Sequence, residues 1–115
     1  MIGIDIVSIK RIEKSIEKFG HKAKNRFMTK NEQKIHIKTS SIAGIWASKE
    51  AFSKALGIGI GKEFSFLDIE VLKNKKGKPI INILNPILKQ KLINKQIDIS
   101  ITHDGGFAIA AIIIL

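Results

Sequence analysis

Ile97-Asp98-Ile99-Ser100-Ile101-Thr102-His103-Asp104-Gly105-Gly106-Phe107-Ala108-Ile109-Ala110-Ala111-Ile112-Ile113-Ile114-Leu115 is the stretch that decides the fold. Residues 97 to 103 alternate apolar and polar, the period of a strand with one buried face. Asp104-Gly105-Gly106 supplies turn residues, and residues 107 to 115 return as a second strand, so the pair reads as an antiparallel hairpin. The returning strand is apolar on both faces. Its second face therefore needs cover from helices or from another subunit.

Working upstream, Asn85-Pro86 opens a short helix to about residue 95. Residues 64 to 72 and 79 to 84 read as two strands joined by a polar turn around Gly77. Residues 42 to 56 form the strongest helix, with Ile42, Ile45, Trp46, Phe52 and Leu56 on one stripe and Gly57 placed as its C-cap. At about 100° per residue Lys49 falls in the middle of that stripe, with Ser53 beside it and Glu50 on its edge. Thr29-Lys30-Asn31-Glu32 matches a capping box opening a basic helix toward Lys38. Ser8 caps a helix whose apolar positions are Ile9, Ile12, Ile16 and Phe19, and Gly20 ends it. Residues 2 to 7 alternate as a strand that puts Asp5 on the face opposite Ile2, Ile4 and Ile6. Strand, helices, then mostly strands predicts an α+β fold, a single small domain over residues 1 to 115 with helices packed on a mostly antiparallel sheet.

The 115 residues include no cysteine, which removes disulfides, thiolate metal sites and cysteine nucleophiles and fits a reducing cytoplasm. The opening residues lack a basic n-region and a cleavage site, so no signal peptide is expected. The longest apolar run, residues 107 to 115, is about half of the roughly 20 residues a membrane-spanning helix needs. Formal charge is +10. Residues 10 to 38 hold ten basic side chains against Glu13, Glu17 and Glu32, a field that steers an acidic partner to one face. Nucleic acid, an anionic membrane surface and an acidic protein all qualify as that partner. The segment has only Phe19, Phe27 and two arginines, sparse for a nucleic-acid binder.

Two carboxylates stand in apolar surroundings. Asp5 can simply cap the turn after its strand, and Glu50 can pair with Lys54 at i, i+4. If strand and helix pack together, the two can instead share a hard cation, since Mg²⁺ needs only one or two carboxylates with waters and substrate phosphates. Gly57-Ile58-Gly59-Ile60-Gly61 follows a helix and precedes a strand, the reverse of the dinucleotide and P-loop orders, and serves either as a helix exit or as backbone approaching a phosphate. His103 reads as a strand-end residue or a phosphate contact, His21 and His36 as surface, and the three lack zinc spacing. No serine lies in a Gly-x-Ser-x-Gly elbow.

Trp46-Ala47-Ser48-Lys49-Glu50-Ala51-Phe52-Ser53-Lys54 resembles the signature of the phosphopantetheinyl transferases, and Gly3-Ile4-Asp5 resembles their other motif. Ala55 to Ile60, Asp68-Ile69-Glu70-Val71, Gly77-Lys78-Pro79 and Ser100-Ile101-Thr102-His103 resemble the small holo-acyl-carrier-protein synthases in order and spacing. That resemblance implies transfer of 4'-phosphopantetheine from coenzyme A to a serine of apo-acyl carrier protein, for fatty acid biosynthesis. It further implies a homotrimer with sites between subunits. Asp5 and Glu50 would hold Mg²⁺, with Lys49, Glu50 and Asp5 catalytic and Lys49 a candidate proton donor to the leaving group. Lys54, Ser53, Gly57, Thr102 and His103 would line the coenzyme A site, and Arg11 would grip the acidic carrier protein. Asp104-Gly105-Gly106 departs from many relatives after His103. The competing reading from charge alone is a small basic nucleic-acid or membrane-surface binder.

Overall fold

The computed structural model describes residues Met1–Leu115 and has the predicted α+β architecture. Strand β1 (Ile2–Ser8) is followed by helices α1 (Ile9–Phe19), α2 (His21–Phe27), α3 (Lys30–Ile35) and α4 (Thr39–Leu56). Next come β2 (Ile69–Lys73), β3 (Pro79–Ile83), α5 (Pro86–Lys91), β4 (Ile97–Asp104) and β5 (Phe107–Ile114). One antiparallel sheet has the order β1-β5-β4, and β2-β3 form a separate hairpin. The β4–β5 turn is Gly105-Gly106, with φ of 58° and 86°, the positive pair that a tight hairpin turn of the right twist demands.

Local signals produced the helix ends. The Ser8 side chain accepts from the Arg11 amide, and Gly20 closes α1 onto the Ile16 carbonyl. Thr29 and Glu32 form the reciprocal capping box. Gly57 ends α4 in the left-handed region at φ 74°. Three expectations need correction. Phe66–Asp68 is a 3-10 turn closed by a Ser65–Asp68 capping box, so β2 begins only at Ile69. Helix α5 stops at Lys91. His36 is buried, not on the surface: its Nε2–H donates to the Val71 carbonyl, which leaves Nδ1 to accept from the Ser41 hydroxyl. Burial lowers its pKa, in keeping with a neutral ring.

Helix α4 is the centre of the molecule. It lies across the inner face of the three-stranded sheet, and Ala43, Ile45, Ala47, Ala51 and Phe52 are wholly buried between the sheet and the other helices. The approach is close because of glycines on both sides. A Cβ on Gly3 would overlap the Ala51 carbonyl oxygen and stand 2.6 Å from the Ala55 amide nitrogen, while one on Gly44 would meet Ile101 at 3.0 Å. The alternation in β1 was correct: Gly3, Asp5 and Val7 turn toward α4, while Ile2, Ile4 and Ile6 are 72, 62 and 58% exposed.

Candidate active site

Asp5 points toward α4 because it is two residues beyond Gly3 on the same face of β1, and Gly3 is what lets the helix come in. Lys54 Nζ donates to Asp5 Oδ1 at 3.0 Å and to the Ile4 carbonyl at 3.2 Å. Glu50, one turn earlier on α4, is half-buried at the same edge. Burial first, and then the charge of Asp5, push its pKa above the usual carboxylate range; Lys54 and Arg11 pull the other way. Two carboxylates and two cations thus converge where β1, α1 and α4 meet. No group of three metal-ligating side chains exists anywhere in the chain. The pair Asp5 and Glu50 nevertheless fits an oxygen-seeking divalent ion, because each carboxylate raises the need for a cation and Mg²⁺ takes its remaining ligands from water and phosphate.

Beside this point α1 and α2 bound a groove of about 340 Å³. Phe27, Trp46 and Phe66 form its apolar wall, Trp46 being edge-on to Phe27 at 5.2 Å and tilted against Phe66 at 4.7 Å. Exposed Arg11, Lys22 and Arg26 stand around it with no acid among the lining residues. Arg11 therefore serves both the groove and the carboxylate pair.

A family profile described as the 4'-phosphopantetheinyl transferase superfamily matches residues 1–112. The chain belongs to that superfamily. Among curated relatives, a holo-[acyl-carrier-protein] synthase of Nautilia profundicola is 56% identical over 115 residues, covering 100% of this chain and 99% of the relative. The crystal structure of the Helicobacter pylori holo-[acyl-carrier-protein] synthase in complex with coenzyme A superposes with a TM-score of 0.91 at 50% identity, covering both chains completely. That of the Neisseria meningitidis synthase gives 0.88 at 31% identity, covering 99% of this chain and 96% of that one.

The phosphopantetheinyl transferase motif residues do not all gather in one place. Lys49, expected as a proton donor to the leaving group, is turned inward, away from the carboxylate pair: it is 0% exposed, and its Nζ donates to Glu32 Oε1 at 2.7 Å and to the Phe27 carbonyl at 2.6 Å. One residue from Glu50 is about 100° around a helix, which turns Lys49 inward as Glu50 turns out. Ser53 is also buried, its hydroxyl donating to the Glu50 carbonyl. Gly57 lies just past Lys54 at the helix end. Thr102 and His103 are far from Asp5. In the β1-β5-β4 register His103 aligns with Ala108 and Val7, two strands or about 10 Å across, and Thr102 lies on the opposite face in the row of Ile109 and Ile6.

Sequence reasoning missed α2, the aromatic groove and the Glu32–Lys49 pair. A lysine centred on an apolar stripe was the available signal for the last, since a buried ammonium requires a buried acceptor.

Proposed function

We propose that this chain is a Mg²⁺-dependent holo-acyl-carrier-protein synthase. The observation that carries the reading is the convergence of Asp5 and Glu50 at the Gly3 crossing, flanked by Lys54 and Arg11, in a chain so similar to holo-acyl-carrier-protein synthases over its whole length. In the reaction the carrier's serine hydroxyl oxygen attacks the coenzyme A phosphorus that bears the pantetheine arm. The pyrophosphate P–O bond breaks, adenosine 3',5'-bisphosphate departs, and the serine proton leaves the nucleophile. Asp5 and Glu50 would hold Mg²⁺, which supplies charge neutralisation at the phosphates. Lys54 moves from Asp5 to a phosphate oxygen, and Gly57 admits the pyrophosphate to the end of α4. Either Glu50, half-buried beside Asp5, or a water held at the pair would take the serine proton. Arg11, Lys22 and Arg26 complement an acidic carrier, and the aromatic groove receives its apolar side chains.

Thr102 and His103 belong, on this reading, to a neighbouring copy's site. Ile2, Ile4, Ile6, Phe107 and Ile113 form an open apolar sheet face contiguous with Thr102, and a face of this kind calls for a protein partner. We expect a homotrimer with its sites between subunits. Light scattering should give about three times the 12.8 kDa chain mass, and Ile4→Asp should reduce it; a wild-type mass of one chain excludes the shared site. No helix is long and apolar enough to cross a membrane, and we expect the enzyme to work in the cytoplasm, with its substrates.

The test of function is intact mass spectrometry of an apo-acyl carrier protein incubated with this protein and coenzyme A. A gain of one phosphopantetheine that requires Mg²⁺ is expected. No gain with several carriers, from protein folded by circular dichroism, rejects the reading.

A further inference from the structure

The Lys49–Glu32 pair has no part in the transfer chemistry proposed above, and both side chains are wholly buried. Glu32 is richly held: Oε1 also accepts from the Thr29 amide at 2.8 Å, and Oε2 from the Val71 amide at 2.8 Å. The capping-box threonine in turn donates through Oγ1 to buried Glu70, which also accepts from Asn82. A carboxylate fixed in this way on α3 and β2 is a rigid anchor for the ammonium on α4. The second Lys49 bond then ends on the Phe27 carbonyl, and it is the sole side-chain hydrogen bond joining α2 to α4. Phe27 is the last residue of α2, and its ring packs edge-on against Trp46, three residues before Lys49 on α4.

Stability alone does not explain a charged pair here. Apolar side chains of similar volume in place of a buried ion pair are often neutral or stabilising, because they avoid desolvation. What an apolar residue cannot do is bind the Phe27 carbonyl. We propose that Lys49 is a positioning residue: with Glu32 it holds the end of α2 against Trp46 and so sets the aromatic wall of the groove that receives the carrier protein. The role of the groove's occupant rests on the transferase reading above; the placement of the wall does not.

Trp46 is the only tryptophan, so its fluorescence reports the wall directly. The double variant Lys49→Met/Glu32→Gln removes both charges together. With far-UV circular dichroism unchanged, Trp46 emission should shift to the red and become more accessible to acrylamide. The carrier-protein KM should rise about tenfold, the effect of a misplaced contact surface, while the coenzyme A KM holds. Unmoved Trp46 emission in the folded variant overturns the proposal, and so does a rise confined to the coenzyme A KM, which would return Lys49 to the phosphates. Should the double variant not fold, Lys49→Gln is the second probe, expected to shift both readouts in the same sense by less; unmoved emission there overturns the proposal equally. A wild-type protein without transferase activity defeats the functional reading alone, and Trp46 emission still decides the positioning role.

Discussion

Glu50→Gln is expected to cost at least about a hundredfold in transfer rate, the scale of losing one charge-stabilising group at a reacting phosphate, while making the metal-free protein more stable. Both halves come from one arrangement. Glu50 is half-buried beside Asp5, and burial together with that neighbouring charge raises its pKa. A carboxyl whose folded pKa is raised binds its proton more tightly in the folded than in the unfolded state. Its ionisation therefore costs stability: the folded state is favoured at low pH, and that advantage is lost as pH rises through the folded pKa. Glutamine removes the ionisation and the cost. In chelator at neutral pH, Glu50→Gln should melt above the wild type, with the gap closing as pH falls below the carboxylate range. Added Mg²⁺ should raise the wild-type melting temperature and leave that of the variant unmoved. A variant that keeps wild-type turnover, or that melts lower in chelator, removes Glu50 from the metal-holding pair.

Much of the fold was legible because its signals are local. The β4–β5 hairpin needed only alternation around Gly105-Gly106, and α1, α3 and α4 each announced themselves by caps and apolar spacing. Helix α2 was not legible, for Gly20 gives it no side-chain cap and only Ala23 and Phe27 of its seven residues are buried. Alternation in β1 divided the strand into two faces without saying which is inside. The isoleucine face is the exposed one, because the small face of Gly3 is the one a helix can approach. Asp5 and Glu50 were both visible as acids out of place. The two residues are more than 40 positions apart, and their meeting depends on a crossing of β1 and α4 that periodicity does not encode. Lys49 was equally visible as a broken rule, and its meaning was non-local. Glu32 appeared fully explained by its capping box, but a carboxylate has two oxygens and several acceptor sites, and those the cap left free bind Lys49 and the Val71 amide.

Gly3→Ala should be the most damaging single methyl in the chain. The added Cβ would overlap a backbone oxygen of α4, and neither the strand nor the helix has a side chain there that can rotate away. The helix must lift from β1 or the strand must bend, and overpacking of this kind costs about 1–3 kcal/mol or more. The conformation of Gly3 is not the issue, since its φ lies outside the positive range; the cause is space alone. The same displacement separates Asp5 on β1 from Glu50 and Lys54 on α4. A shift of about 1 Å in a catalytic arrangement can cost on the order of a hundredfold in rate. Gly3→Ala is therefore expected to lower the chemical denaturation midpoint and, in protein that remains folded, to reduce turnover far more than it alters affinity for the carrier, whose proposed groove lies between α1 and α2. Wild-type stability together with wild-type turnover would show that the helix does not rest on the strand at Gly3, and the link between the Gly3-Ile4-Asp5 motif and the Lys49-to-Lys54 segment would then need another origin. Stability lost with turnover retained would separate the two functions of the crossing, leaving Gly3 as a packing residue and the Asp5–Glu50 geometry tolerant of a shift.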